Sequence, residues 1–130
     1  MNPFIMFKTN FKNSAFALLR ISASAMLLTH GVPKLERLIS GNTDFPDPLG
    51  IGSLPSLLLT IFGEVIAPLF VILGYKTRLF AIPPAITMLV AALIVHHNDP
   101  FNRKELALMF AVCFIVIFLV GPGKYSIDKN

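Results

Sequence analysis

The sequence predicts an all-α integral membrane protein, a four-helix bundle whose spans run up-down-up-down. Its 130 residues are 55% hydrophobic and only 14% charged, whereas a soluble domain is about one quarter charged. Four apolar runs each reach the roughly 17–25 residues that a helix needs to cross a bilayer. The last two connections between these runs are short, and short connections make neighbouring helices antiparallel. Lipid, rather than water, is therefore the expected surrounding of this chain.

The first two expected spans cover residues 14–32 and 54–74. Between them lies a polar stretch, residues 33–53. Proline, aspartate and glycine are frequent in its segment 45–50, as is typical of turns. We therefore expect an ordered extracytoplasmic loop between the first and second helices.

The third and fourth expected spans cover residues 79–97 and 105–121. No internal repeat or change of composition divides the chain, so we expect residues 1–130 to form a single membrane domain. Lysine and arginine favour the cytoplasmic side of membrane proteins, and six of them lie at one end of the spans against four at the other. This excess places both termini in the cytoplasm. The six are Lys8, Lys12, Lys76, Arg78, Lys124 and Lys129, and the four are Lys34, Arg37, Arg103 and Lys104.

The net charge of +4 does not indicate a nucleic-acid partner. The basic residues stand in ones and twos at the edges of apolar runs, whereas a phosphate-binding surface gathers them on one polar face. Cys113 is the single cysteine, so an internal disulfide is excluded and a buried apolar role is expected. Phosphate-binding glycine loops, paired-cysteine metal motifs and nucleophile elbows are absent from the sequence. Catalytic residues are therefore unknown, and whether the protein is an enzyme stays open.

Two charged residues lie inside expected spans, where an unpaired charge costs several kcal/mol. Arg20 is in the first span and Glu64 is near the middle of the second. The two spans run in opposite directions, which places these residues at similar depths. We therefore expect an Arg20–Glu64 ion pair inside the bundle. Such a pair could handle protons or a ligand, or it could only fix the helix register.

A second polar group is expected at the extracytoplasmic rim. His30 and Lys34 end the first span, His96 ends the third, and Glu105 begins the fourth. These side chains could bind a quinone headgroup or, less favourably, a metal. The alternative is that they only anchor the helices at the interface.

The order of motifs along nearly the whole chain resembles the DoxX family of small four-helix membrane proteins. The matching segments are Leu19-Arg20-Ile21, His30-Gly31-Val32-Pro33-Lys34, residues 45–50, Gly63-Glu64, residues 73–78, His96 and residues 121–128. The resemblance implies a multi-pass protein of the bacterial inner membrane. It also implies an accessory subunit of a quinone-linked or oxidative-stress-related redox complex, with a membrane redox protein as the partner. The cofactor stays unknown, with a quinone favoured over a metal.

The runner-up function is a non-catalytic membrane assembly factor or a small-solute carrier. Gly63 and Ala67, four residues apart on the second span, form a small-residue face. Such a face suits close packing within the bundle or against a second copy of the chain. A homodimer is therefore a further expectation.

Overall fold

The computed structural model describes residues 3–129, with side chains described from residue 11 onward. Within that part of the chain the regular structure is helical, and no strand occurs. The four helices are α1, Pro3–Ile39; α2, Ser53–Leu73; α3, Thr77–Val95; and α4, Phe101–Val120. The all-α fold class is confirmed.

Among the residues that the structure describes, three helical segments are long and apolar enough to cross a membrane: Phe11–Ile39, Ser53–Leu73 and Thr77–Val95. Helix α4 has 20 residues, but Arg103, Lys104 and Glu105 lie near its start. A fourth crossing by α4, and with it the complete four-helix bundle, stays a prediction.

Helix α1 is longer than expected, because it continues through Pro33 to Ile39 instead of ending at residue 32. Leu35 and Leu38 explain the extension. Both pack against the buried cluster formed by Leu57, Ile61 and Val65 of α2. Burial of this apolar face compensates for the backbone hydrogen bond that a proline inside a helix removes. The interhelical polar segment is correspondingly shorter, and the added turns of α1 carry Lys34.

Two glycines set how α1 crosses α2. A Cβ atom on Gly31 would lie 2.6 Å from the carbonyl oxygen of Glu64, so the two backbones are in direct contact there. Directly after the end of α2 and ten residues beyond Glu64, Gly74 adopts φ +71° and lies beside the guanidinium of Arg20. The contacts of Gly31 with Glu64 and of Arg20 with Gly74 define an antiparallel register for these helices.

Both α2 and α3 contain a π-helical turn. In α2 it covers Phe62–Ile66, and in α3 it covers Ala91–Val95, where the amide of His96 donates to the carbonyl of Ala91 at 3.0 Å. The first turn precedes Pro68, whose ring would press on the carbonyl of Glu64 in a regular helix. Wide turns of this kind are frequent at functional sites.

Candidate functional site

A cavity of about 530 Å³ lies between the end of α1, the 40–52 connection, α2 and α3. Most of its wall is apolar, and six polar side chains interrupt it: Lys34, Ser56, Thr60, Glu64, Thr87 and His96. A volume of this size is within the range of small-molecule sites, which are mostly apolar with a few placed polar groups. Both π-helical turns contribute residues to the wall. This cavity is the candidate functional site.

The strongest electrostatic feature of the cavity is an ion pair between Lys34 and Glu64. Lys34 Nζ lies 2.6 Å from Glu64 Oε2 and 2.8 Å from Oε1, so it donates to both carboxylate oxygens. The Glu64 side chain is only 1% exposed, while that of Lys34 is 28% exposed. The pair therefore places a strong hydrogen-bond donor, the ammonium group, beside a strong acceptor, the carboxylate, and adds no net charge to the cavity wall.

The expected ion pair between Arg20 and Glu64 was wrong, although both side chains are buried as expected. Gly31 contacts the Glu64 backbone, and Arg20 lies eleven residues before Gly31. At a rise of about 1.5 Å per residue, this separation is roughly 16 Å along α1. Lys34 lies only three residues beyond Gly31, and its side chain reaches the carboxylate. The error arose because Arg20 and Glu64 were expected at similar depths, whereas the backbone contact at Gly31 sets a register that separates them.

Arg20 instead binds backbone carbonyls at the opposite end of the molecule. Its guanidinium donates to the carbonyls of Pro122 and Tyr125 at 2.7 Å each, and to that of Ile72 at 3.4 Å. Arginine carries enough donors to satisfy several carbonyls at once. Arg20 therefore fastens the segment after α4 to the end of α2, far from the cavity.

The same segment also caps α3. The carboxylate of Asp128 accepts hydrogen bonds from the amides of Lys76 and Thr77 at 2.9 and 2.8 Å, and from the Thr77 hydroxyl at 2.8 Å. Burial acts to raise the pKa of Asp128, but these hydrogen bonds outweigh it and lower the pKa. This cap escaped the sequence prediction because 52 residues separate Asp128 from Lys76.

His30 and Glu105 do not join the cavity, so the expected four-residue rim site is only half assembled. Neighbouring helical residues project about 100° apart. Since Gly31 faces α2, His30 is directed to α4, where its ring lies edge-on to Phe110 at 5.8 Å. Glu105 is exposed at the start of α4. Lys34 and His96 are the two predicted rim residues that line the cavity.

His96 lies at the C-terminal end of α3, at one end of the cavity, and is held by an adjacent carboxylate. Its Nδ1 lies 2.6 Å from Asp99 Oδ2. The hydrogen bond from His96 lowers the pKa of Asp99. With Nδ1 engaged, Nε2 is the ring nitrogen left for a ligand. His97 instead pairs its Nδ1 with the carbonyl of Ile94 at 2.9 Å. Among the described side chains, no three His, Cys, Asp or Glu residues come close enough together to hold a metal ion.

The connection between α1 and α2 covers one end of the cavity with Phe45 and Leu49. Asp47 holds this cover in place. Its carboxylate accepts hydrogen bonds from the amides of Ile51 and Gly52 at 2.9 and 2.8 Å, and from the hydroxyl of Ser56 at 2.9 Å. The Gly52 amide is the main cause that lowers the pKa of Asp47. An aspartate shortly before an apolar helix is a capping signal that could have identified this residue from the sequence.

The small residues Gly63 and Ala67 pack inside the chain. A Cβ atom on Gly63 would clash with the side chain of Thr87, and Ala67 is fully buried. This face therefore serves contacts within one chain, and it is not available to a second copy.

Comparisons with known proteins agree with the helical membrane architecture. A family model described as DoxX matches residues 15–97. The chain is 29% identical to inner membrane protein YqjF of Escherichia coli K12, over 85% of this chain and 86% of that protein. It is 30% identical to an uncharacterized protein of Haemophilus influenzae Rd, over 88% of each chain. No solved structure matches. With the family model covering more than half of its residues, this chain belongs to the DoxX family.

Proposed function

We propose that this protein is an accessory subunit of a membrane redox complex and binds a quinone headgroup beside Lys34 and Glu64. The observation that carries the proposal is the ion pair of no net charge on the wall of a mostly apolar cavity of about 530 Å³. The ammonium group is a donor for the carbonyl oxygen of a quinone. The carboxylate is an acceptor for the hydroxyl of a quinol.

Charge supports a neutral headgroup over an ionic one. Lys34 is already neutralised by Glu64, and His96 is paired with Asp99. A phosphate would have to break the first pair to find a cation, and separating a buried pair costs several kcal/mol. A quinone needs only hydrogen bonds, which the pair can share without separating.

The surrounding architecture belongs to the same proposal. Helix α4 crosses the membrane as a fourth span and completes an up-down-up-down bundle within one domain, residues 1–130. Its contacts with α1 and α3 inside the main apolar core support this arrangement. The inner-membrane name of the Escherichia coli relative supports a bacterial inner membrane. The lysine and arginine excess supports cytoplasmic termini, which put the 40–52 connection, and the end of the cavity that it covers, outside.

The test is quinone analysis of the detergent-purified protein by mass spectrometry, followed by titration with added decylubiquinone. Wild type and Lys34→Met are compared, because methionine keeps much of the side-chain volume and removes the charge. Lys124→Met is the matched control, since Lys124 is exposed near the opposite end of the molecule. We expect quinone in wild type and in the control, and at least a tenfold loss of affinity, about 1.4 kcal/mol, in Lys34→Met.

Two histidine variants sharpen this test. His96→Ala should weaken binding because His96 lines the cavity, whereas His30→Ala should not because His30 contacts Phe110. A wild-type protein that neither retains quinone nor binds decylubiquinone contradicts the proposal. A copurifying redox protein without any quinone would instead favour the assembly-factor function.

A further inference from the structure

The cavity has an open side between α2 and α3. Side chains that line it there are also exposed on the outside of the chain: Leu59 and Ile86 are each 55% exposed and Phe62 is 38% exposed. These residues belong to two helices that are long and apolar enough to span a membrane. In the bilayer this opening faces hydrocarbon chains.

The lining extends along α3 from Ile82 to His96. Fourteen residues at about 1.5 Å each give a length of roughly 21 Å, which is most of a hydrocarbon core about 30 Å thick. The hydroxyls of Thr60 and Thr87 donate at 2.8 Å to carbonyls of their own helices. The wall between the two helices therefore offers few free polar groups and suits a hydrocarbon chain.

The end of the cavity toward the 40–52 connection is covered. Phe45 packs against the buried cluster on α2, and Leu49 also lines the cavity. Asp47 ties this connection to the start of α2 through three hydrogen bonds. This end is thus covered by apolar residues, whereas the side between α2 and α3 is open.

From this geometry we infer that the gap between α2 and α3 is a lateral entrance for a lipid with one hydrocarbon tail and an uncharged polar head. The head lies at Lys34 and Glu64, and the tail leaves between Leu59 and Ile86 into the bilayer. An uncharged head matches the net neutrality of the ion pair. The inference deepens the proposed function and rests on it for the position of the head, but it extends to any neutral single-tailed lipid.

The test is photolabelling in vesicles of phosphatidylethanolamine and phosphatidylglycerol. The probe is a monoacylglycerol with a diazirine in its tail, and labelled residues are mapped by mass spectrometry. We expect labelling on the cavity-lining faces of α2 and α3. Ile86→Trp, which fills the opening, should reduce this labelling about tenfold. Ile115→Trp on α4 is the matched control, since Ile115 is 40% exposed and lies outside the cavity.

A second probe tests the charge argument. A diazirine lysophosphatidate, with one tail and an anionic head, should not label these faces above the level of Ile86→Trp. Absence of monoacylglycerol labelling in wild type, or labelling unchanged by Ile86→Trp, would overturn the inference, as would preferential labelling by the anionic probe. Labelling of the gap by a protein that binds no decylubiquinone would refute the quinone function and leave the entrance supported.

Discussion

Removing Lys34 alone should destabilise the protein more than removing Lys34 and Glu64 together. In Lys34→Met the Glu64 carboxylate loses the ammonium group that both of its oxygens accept from, while it stays 1% exposed. Leaving one member of a buried pair uncompensated costs about 3–5 kcal/mol. Because Lys34 is 28% exposed beside an open cavity, we expect the lower end, about 3 kcal/mol.

Two companion variants separate the free energy of the Lys34–Glu64 interaction from the effects of changing each residue alone. In Glu64→Gln the amide oxygen still accepts from Lys34, which also reaches water, so the expected loss is about 1 kcal/mol. The double variant Lys34→Met/Glu64→Gln carries no buried charge and should lose about as much as Glu64→Gln alone. The coupling between the two positions should therefore be about 3 kcal/mol.

Cys113 provides the assay. It is the only cysteine and is partly buried against the main apolar core, so a fluorogenic maleimide reports unfolding as the fraction of sodium dodecyl sulfate in mixed micelles is raised. The midpoints and slopes of the unfolding curves of wild type, the two single variants and the double variant give the free energy of unfolding of each protein. If the two single losses simply add up in the double variant, the ion pair contributes no coupling and the reasoning is refuted.

Three further predictions concern the tail and the helix crossing. Asp128→Ala should lower the free energy of unfolding by about 1–2 kcal/mol, because it removes the cap of α3; unchanged maleimide reactivity would exclude the cap. Since hydrogen bonds lower the pKa of Asp128 below its ordinary value, this stabilisation is present at neutral pH and is lost as the pH falls below about 4. Acid titration of Asp128→Asn should show a weaker dependence. Gly31→Val should lower the free energy of unfolding by about 1–3 kcal/mol, because a Cβ atom there meets the Glu64 carbonyl. Ala25→Val, at an exposed position of α1, should leave it unchanged. Equal unfolding midpoints for the two variants in the maleimide assay would contradict this.

Local composition was sufficient to predict the helices. Apolar runs and their charged ends gave α2 and α3 to within two residues of the observed starts and ends. The end of α1 was missed because Pro33 and the polar residues after it indicate a turn. Its continuation depends on Leu35 and Leu38 finding a partner surface on α2, which local sequence does not show.

The candidate site was harder to predict because its contacts depend on helix register. The sequence identified Arg20 and Glu64 as charged residues inside expected spans, and Lys34 and His96 as polar residues at the rim. It paired Glu64 with the wrong cation, because register is set by backbone contact at Gly31 rather than by charge. His30 was misplaced for a related reason, since 100° of rotation directs it to α4.

The cap of α3 also has a consequence for the order of events during synthesis. Asp128 leaves the ribosome 52 residues after Lys76, whose amide it accepts from. At about 5–20 residues per second, α3 exists for roughly 3–10 s before its final cap is made. During that interval the α2–α3 pair has uncapped amides at the membrane surface. Docking of residues 121–128 onto Arg20 and α3 then completes this cap, and until it occurs the amides of Lys76 and Thr77 are accessible to a translocation factor or a protease.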